Sequence, residues 1–398
     1  MGTTAASTAY APAGNGLRDR AAVVGVGWTP YSRNSGVSTL ELALRAIRAA
    51  LDDAGLALAD VDGLVTHAVG DATPAGSVAA ALGVHDPHLV LDLVGGGSMS
   101  AASVGAAAMA VATGQARTVV VWRALNARSV FRMGGTGRAA PTLVEFQYQV
   151  PYGLLTPPQQ FALVARAYLH RANADSEDLA RVAITQRSHA RANPRAMMRD
   201  PLTREQYFTA PWIAEPLRLF DCCLETDAAV ALVVTTPERA ADLRQPPVLI
   251  RAAATGGGHS LLGSDRPDLS VSAARSMAPR LFASAGLGPG DVDVALLYDA
   301  FTPLVLMQLE DYGFCGPGEA PGLVASGATA LGGRLPVNTH GGHLSEGYVH
   351  GLNHVVEGVL QLRGDAAERQ VPNAEVALCT GQPGYVSGVT SALVLRRP

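Results

Sequence analysis

The chain has 398 residues, 48% of them apolar and only 16% charged, so one large core or two are easily filled and a disordered or fibrous chain is excluded. The net charge of −4 comes without a basic block, which argues against nucleic acid as a partner. All 30 basic residues are Arg, and without lysine the chain can form no Schiff base with a carbonyl or pyridoxal phosphate and can build no P-loop.

In chain order, the opening MGTTAASTAYAPAGNG lacks a charged stretch followed by an apolar one, so it is not read as a signal peptide. Residues 1–17 are expected to be a flexible arm. A first half, residues 18–245, begins with a strand-like AAVVGVG at 21–27. A helical pattern then runs to Gly55, and DGLVTHA at 62–68 reads as a second strand. LDLVGGGSMSAASVGAAAMAVATG at 91–114 reads as strand, glycines and a small-residue helix, and TVVVWRAL follows as a strand. The run 101–114 is too short to span a bilayer, so no membrane is expected. RALNARSVFRMGGTGR carries Arg123, Arg128, Arg132 and Arg138, a local basic cluster that reads either as a solvated loop or as a contact for a phosphate group or a partner protein. About 125–215, which includes PYGLLTPPQQ, reads as a loop region.

A second half, residues 246–398, repeats the first. LDDAGLALADVDGLV at 51–65 and FASAGLGPGDVDVALL at 282–297 share AGL, three residues, then DVD. PVNTHGGHLSEGYVHGLNHVVEGVL again reads strand, glycines, helix, and AEVALCTG follows as a strand. Strands alternating with helices, written twice, imply parallel sheets covered by helices in a pseudo-symmetric molecule.

The chemistry concentrates in the second copy. HGGHLSEGYVHG at 340–351 sets His340, His343 and Tyr348 beside paired glycines, and YDAF places Tyr298 and Asp299 at a strand end. A phenol ionises near pH 10, so it needs a positive charge or a hydrogen-bond chain to act as a base; His340, His343 and Asp299 are candidates to tune it. His350 and His354, four apart, could share a helix face and hold a divalent ion, but no Cys, Asp or Glu at matching spacing completes a site; packing along the helix is the plainer reading. Ser98 follows glycines as an N-cap would and lacks a closing GxSxG glycine. Cys379 ends an apolar strand, where a buried inert thiol is expected. The four cysteines show no CxxC spacing, which fits a reducing cytoplasm.

These motifs resemble the thiolase superfamily, in its lipid-transfer-protein branch related to sterol carrier protein x, and within it the actinobacterial steroid side-chain-cleaving aldolases. The resemblance covers nearly the whole chain beyond residue 20. It implies a duplicated thiolase fold, a five-layer αβαβα sandwich of α/β class, dimeric through its first half. The thiolase nucleophile is missing, because its place falls at Gly97 or Ser98. The family's NEAF motif stands here as YDAF, its GHP histidine is replaced by Tyr348, and CTGQPG keeps the last motif in part, with Cys379 and Gly381, and Ser98 from the glycine loop, at the substrate or oxyanion side. In the steroid aldolases, tyrosines at the places of Tyr298 and Tyr348 are the proposed proton-transfer residues.

Loss of the cysteine removes acyl transfer through a thioester and leaves a pocket that can stabilise a thioester enolate. The expected reaction is retro-aldol cleavage of a bulky β-hydroxyacyl-CoA, a 17-hydroxy steroid side-chain thioester, to a ketone and a short acyl-CoA such as propionyl-CoA. Neither cofactor nor metal is expected, and the resemblance implies a small partner with an OB-fold and zinc ribbon. A thiolase-like acyltransferase and a catalytically silent lipid carrier or scaffold are the alternatives.

Overall fold

Alternation along the strands of the first half sorts their side chains into two cores. In the strand Asp227–Thr235, Ala229, Ala231 and Val233 point into one cluster, and Val230, Leu232 and Val234 into the other. The computed structural model describes residues 16–130, 132, 134, 144–257, 266–385 and 388–398. The expected arm therefore lies almost wholly outside the described residues. Just after it, Asp19 forms ion pairs with Arg251 and Arg396.

The main sheet has nine strands: β1 (Ala22–Trp28), β2 (Gly63–Ala68), β3 (Leu89–Val94), β4 (Thr118–Asn126), β5 (Asp227–Thr235), β6 (Val248–Gly257), β7 (Val294–Leu296), β8 (Val376–Thr380) and β9 (Val389–Arg396). Their order is β3-β2-β4-β5-β1-β6-β9-β8-β7. Outward from the centre, the two halves repeat one order of positions, except that the second lacks its outermost strand. The two half-sheets are continuous through the pairs Ala22–Leu249 and Val23–Val248.

Helix α1 (Thr39–Ala54) covers the outer face of the first half. Two helices, α2 (Ser100–Thr113) and, late in the chain, Leu352–Arg363, each touch strands of both halves and form the central layer. Helix α3 (Ser176–Arg191) belongs to the region expected to be loop, which is in fact largely helical. Helix α4 (Ala274–Ala285) covers the outer face of the second half, α5 (Thr302–Asp311) follows β7, and Leu352–Arg363 is α6. The layers are thus helix, sheet, helix, sheet, helix, the thiolase-type α/β arrangement.

The repeated AGL…DVD segment has one structural cause in both copies. Gly55 and Gly286 end their helices with φ of 74° and 66°, conformations that cost glycine least. Asp60 and Asp291 then accept from the backbone of Ala57 and Gly288, closing a short turn. Asp62 and Asp293 reach across to the backbone N–H groups that begin β4 and β8. Each acidic pair therefore registers a helix exit against a later strand, β4 in the first copy and β8 in the second.

PVNTH does not form the strand its pattern predicts. Asn338 adopts φ of 51°, and its side-chain amide takes the sheet's place by bonding Leu297 N–H at 2.7 Å and Leu297 C=O at 2.8 Å. Only the bridge between Ala295 and Val337 remains. The chain is thereby turned inward and delivers residues 340–351 to the end of β7.

Candidate active site

Tyr298 leaves β7 with its backbone fixed at both ends: its N–H donates to Thr380 Oγ1 at 2.9 Å and its C=O accepts from Gln308 Nε2 at 2.7 Å. Tyr348 is held from the opposite side, its N–H donating to Thr226 Oγ1 at 3.0 Å. The two phenol oxygens meet at 2.7 Å, a hydrogen bond between buried side chains. Burial pushes both phenols above their ordinary value. For Tyr298 the hydrogen bond from Tyr348 works against that rise.

The glycine loop after β3 lies directly under this pair. A β-carbon at Gly97 would fall 2.2 Å from Tyr298 Oη, so the tyrosine hydroxyl occupies the space that a side chain at 97 would need. Ser98 donates its hydroxyl back to Gly95 C=O at 2.6 Å and is buried. Cys379 is fully buried and turned toward α6, its sulfur 2.8 Å from where a β-carbon at Gly358 would lie, and burial pushes its thiol up. The Gly381 N–H is committed to Ser391 C=O at 2.7 Å, which removes it as an oxyanion donor in this arrangement. Gln382 N–H binds Gly97 C=O at 3.0 Å, so this turn braces the glycine loop.

Asp299 works behind the tyrosines. Its carboxylate accepts from the His343 N–H at 2.9 Å and the Leu344 N–H at 3.3 Å, pinning the 342–345 turn to the end of β7. Gly342 is required there, because a β-carbon would lie 2.0 Å from Asp299 Oδ2. His343 meets both tyrosine rings edge-on at 4.7 and 4.8 Å and stacks on His354 at 4.2 Å. Asn353 gives its amide hydrogens to Glu346 and Gly347, so its oxygen faces His343 Nε2 at 3.2 Å and places the ring proton there. Burial holds His343 and His340 well below the usual histidine range and so favours the neutral ring in both. His340 bonds His354 at 3.0 Å, and His354 in turn reaches Asp299 at 3.1 Å. His340 meets the tyrosines through His354, which it bonds and whose ring stands edge-on to Tyr298 at 6.4 Å.

Among the described residues, Asp299, His343 and His354 have donor atoms within 4.8 Å of one another and could hold an ion. This set differs from the His350–His354 pair considered from spacing, which the fold separates. His350, with φ of 50°, precedes α6 and turns toward β4.

Beyond His350 lies a cluster that the sequence did not reveal. Arg123, read there as part of a basic loop, is a fully buried residue of β4. Its guanidinium pairs with the equally buried Asp71 at 2.6 Å and bonds His350 Nδ1 from Nε at 3.0 Å. Arg128 and Arg132 pair with Glu225 instead, and Arg138 lies outside the described residues. A lone Asp in the loop after β2 carries no signal of a partner fifty residues on.

Among the described residues no helix is long and apolar enough to cross a membrane. Residues 257–397 match the family model described as Thiolase C-terminal domain-like. The chain is 46% identical, over 95% of its length and 100% of the relative, to the 17-hydroxy-3-oxo-4-pregnene-20-carboxyl-CoA lyase of Mycobacterium tuberculosis. It is 43% identical to the steroid side-chain-cleaving aldolase of Thermomonospora curvata, covering 95% of this chain and 98% of that one. The solved Ltp2-ChsH2(DUF35) aldolase superposes with a TM-score of 0.90 at 42% identity, covering 96% of this chain and 98% of that chain. The chain belongs to the thiolase superfamily, in the sterol carrier protein 2-like group that contains the steroid side-chain-cleaving aldolases.

Proposed function

We propose that the chain cleaves a 17-hydroxy steroid side-chain CoA thioester by retro-aldol chemistry, giving a 17-ketone and a short acyl-CoA such as propionyl-CoA. The observation that carries this reading is the Tyr298–Tyr348 hydrogen bond of 2.7 Å over Gly97, where a thiolase nucleophile would stand. With no side chain at 97 and Cys379 turned away, an acyl-enzyme route has no nucleophile at this place.

Burial disfavours a phenolate, and the geometry offers a path that avoids one. One tyrosine takes the β-hydroxyl proton as it passes its own proton across the 2.7 Å bond, and the second delivers a proton to the α-carbon. The Cα–Cβ bond breaks, its electrons pass into the thioester enolate, and the β-carbon becomes the ketone. Neither phenol carries net charge before or after. Asp299, His343 and, through His354, His340 hold this pair in place. The reaction so drawn needs neither metal nor cofactor.

The Ltp2-ChsH2(DUF35) neighbour supports assembly with a partner of the DUF35 kind, which we take to be a small OB-fold and zinc-ribbon protein. A homodimer is proposed through β3, an edge strand paired on one side among the described residues, with Val90 and Val94 42% and 85% exposed. A cytoplasmic location follows from the same reading, since CoA thioesters are made and used there. The test is incubation of the chain and such a partner with a steroid CoA thioester bearing a tertiary β-hydroxyl, and mass spectrometry for ketone and acyl-CoA. Recovery of unchanged thioester would refute the reading.

A further inference from the structure

A retro-aldol step must stabilise the enolate oxygen as well as move a proton, and the tyrosine pair answers only for the proton. The buried cluster at His350 has the features the second task needs. Arg123 can only donate, and both its Nε, at 3.0 Å, and its terminal nitrogen, at 2.8 Å, face His350 Nδ1. Nδ1 is therefore the acceptor, and the ring proton sits on Nε2. A second proton on the ring would point straight into the guanidinium, so the imidazole is locked in its neutral form.

The locked N–H lies at the glycine loop that borders the tyrosine pair. A β-carbon at Gly96 would lie 3.8 Å from His350 Nε2, and the ring meets Tyr348 edge-on at 5.1 Å. Nε2 thus faces the same glycine loop over which Tyr298 and Tyr348 meet. It forms no hydrogen bond to a described residue, whereas Nδ1 accepts two.

The arrangement is costly in three ways. His350 holds φ of 50°, where non-glycine residues are rarely found. Arg123 and Asp71 are both withdrawn from solvent, and the Asp71 carboxyl, which burial alone would raise, is drawn down to about 2 by Arg123. Burial, reinforced by Arg123, lowers His350 itself to about 3. Such an outlay on one imidazole's tautomer calls for a use that depends on that tautomer.

Resting on the function proposed above, we infer that His350 is a further catalytic residue, whose Nε2–H donates to the thioester oxygen and stabilises the enolate. Arg123 and Asp71 are positioning residues that keep the proton on Nε2. A neutral imidazole suits this task better than an imidazolium, because it polarises the carbonyl without handing over a proton and quenching the enolate at oxygen.

The test compares wild type, His350→Gln and His350→Phe in complex with the partner. Gln can return an N–H near the position of Nε2; Phe keeps the ring's bulk and has no donor. Three readings are taken: kcat and KM for cleavage, exchange of the propionyl-CoA α-hydrogens in D2O, and thermal melting. The expected result is a fall of about 10²–10³ in kcat for Phe, with KM within a few fold, a parallel loss of exchange, and melting close to wild type. Gln should recover at least about a tenth of both rates. Exchange in His350→Phe equal to wild type overturns the inference, as does a loss that follows melting temperature rather than the presence of a donor. A wild-type complex that exchanges but does not cleave would refute the proposed function while leaving the enolate role standing, and one that does neither removes both.

Discussion

Tyr298 Oη lies where the first side-chain carbon of residue 97 would be: the two positions are 2.2 Å apart. A side chain at residue 97 and a hydroxyl at Tyr298 therefore exclude one another, so a nucleophile at that residue is incompatible with the tyrosine pair.

Gly97→Ala follows directly. The new methyl must displace the Tyr298 ring, whose Cζ and Cε2 it would meet at 2.5 Å, and so break the tyrosine pair. Cleavage should fall at least about 10²-fold, as for removal of a general acid–base group, while the chain still folds. Gly97→Cys should lose cleavage equally and gain no thiolase activity. Steady-state assays with both substrate types check this.

Removing Arg195 should be felt throughout the scaffold of the 340–351 loop. Its guanidinium lies 3.1 Å from Glu346 and 3.3 Å from Glu357, both fully buried, and over the Trp28 ring at 4.5 Å. Arg195→Met leaves Glu346 with uncharged donors, the amides of Asn193 and Asn353 and the Tyr31 hydroxyl, a loss of about 3 kcal/mol by urea denaturation. Burial already pushes the Glu346 carboxyl up. A carboxyl raised in the folded state stabilises it at low pH and loses that contribution as pH rises through the folded value. The deficit of the variant should therefore widen between pH 5 and pH 8.

The buried histidines set the acid limit. Burial holds His67, His340 and His343 well below the usual range, His350 at about 3 and His189 at about 4. A histidine lowered in the folded state contributes stability above its unfolded value, near 6.5, and that contribution drains away as pH falls toward the folded value. Each such group costs about 1.4 kcal/mol per pH unit below about 6.5. Urea midpoints should drop steeply between pH 6.5 and pH 5, and calorimetry at pH 5 should show several protons taken up on unfolding. A flat profile over that range would contradict the neutral assignments.

Chelation tests the Asp299, His343 and His354 set. The Asp299 carboxylate is spent on two backbone N–H groups and His354, so cleavage by the chain should survive dialysis against a chelator, with the partner's own metal controlled by adding back zinc-loaded partner. Asp299→Asn should act through the turn instead, lowering kcat with no response to added divalent ions.

The sequence was informative wherever a local pattern had a local cause. The AGL…DVD repeat marks a helix exit and two backbone-binding carboxylates, both short-range, and so it revealed the duplication. The tyrosines were found because their places in two motifs are distinctive. What escaped were relationships across the fold. PVNTH forms no strand because the Asn338 amide takes a strand neighbour's place against the backbone of Leu297, 41 residues away, and nothing in PVNTH announces this. Arg123 looked like a surface arginine because its neighbours in sequence are basic, whereas its counter-charge lies 52 residues away and its histidine 227. Gly381 matched a motif, yet its N–H turned out to be held by Ser391.

In the proposed reaction the hydrogen-bonded tyrosines carry the proton in carbon–carbon cleavage. The most direct measurement is single-turnover formation of the ketone from the steroid thioester by chelator-treated wild type, Tyr298→Phe and Tyr348→Phe, each with its partner. Wild type should cleave at full rate, and each phenylalanine variant should fall by about 10²–10⁴ with the thioester still bound. Ketone formation within a few fold of wild type in either variant would contradict the account.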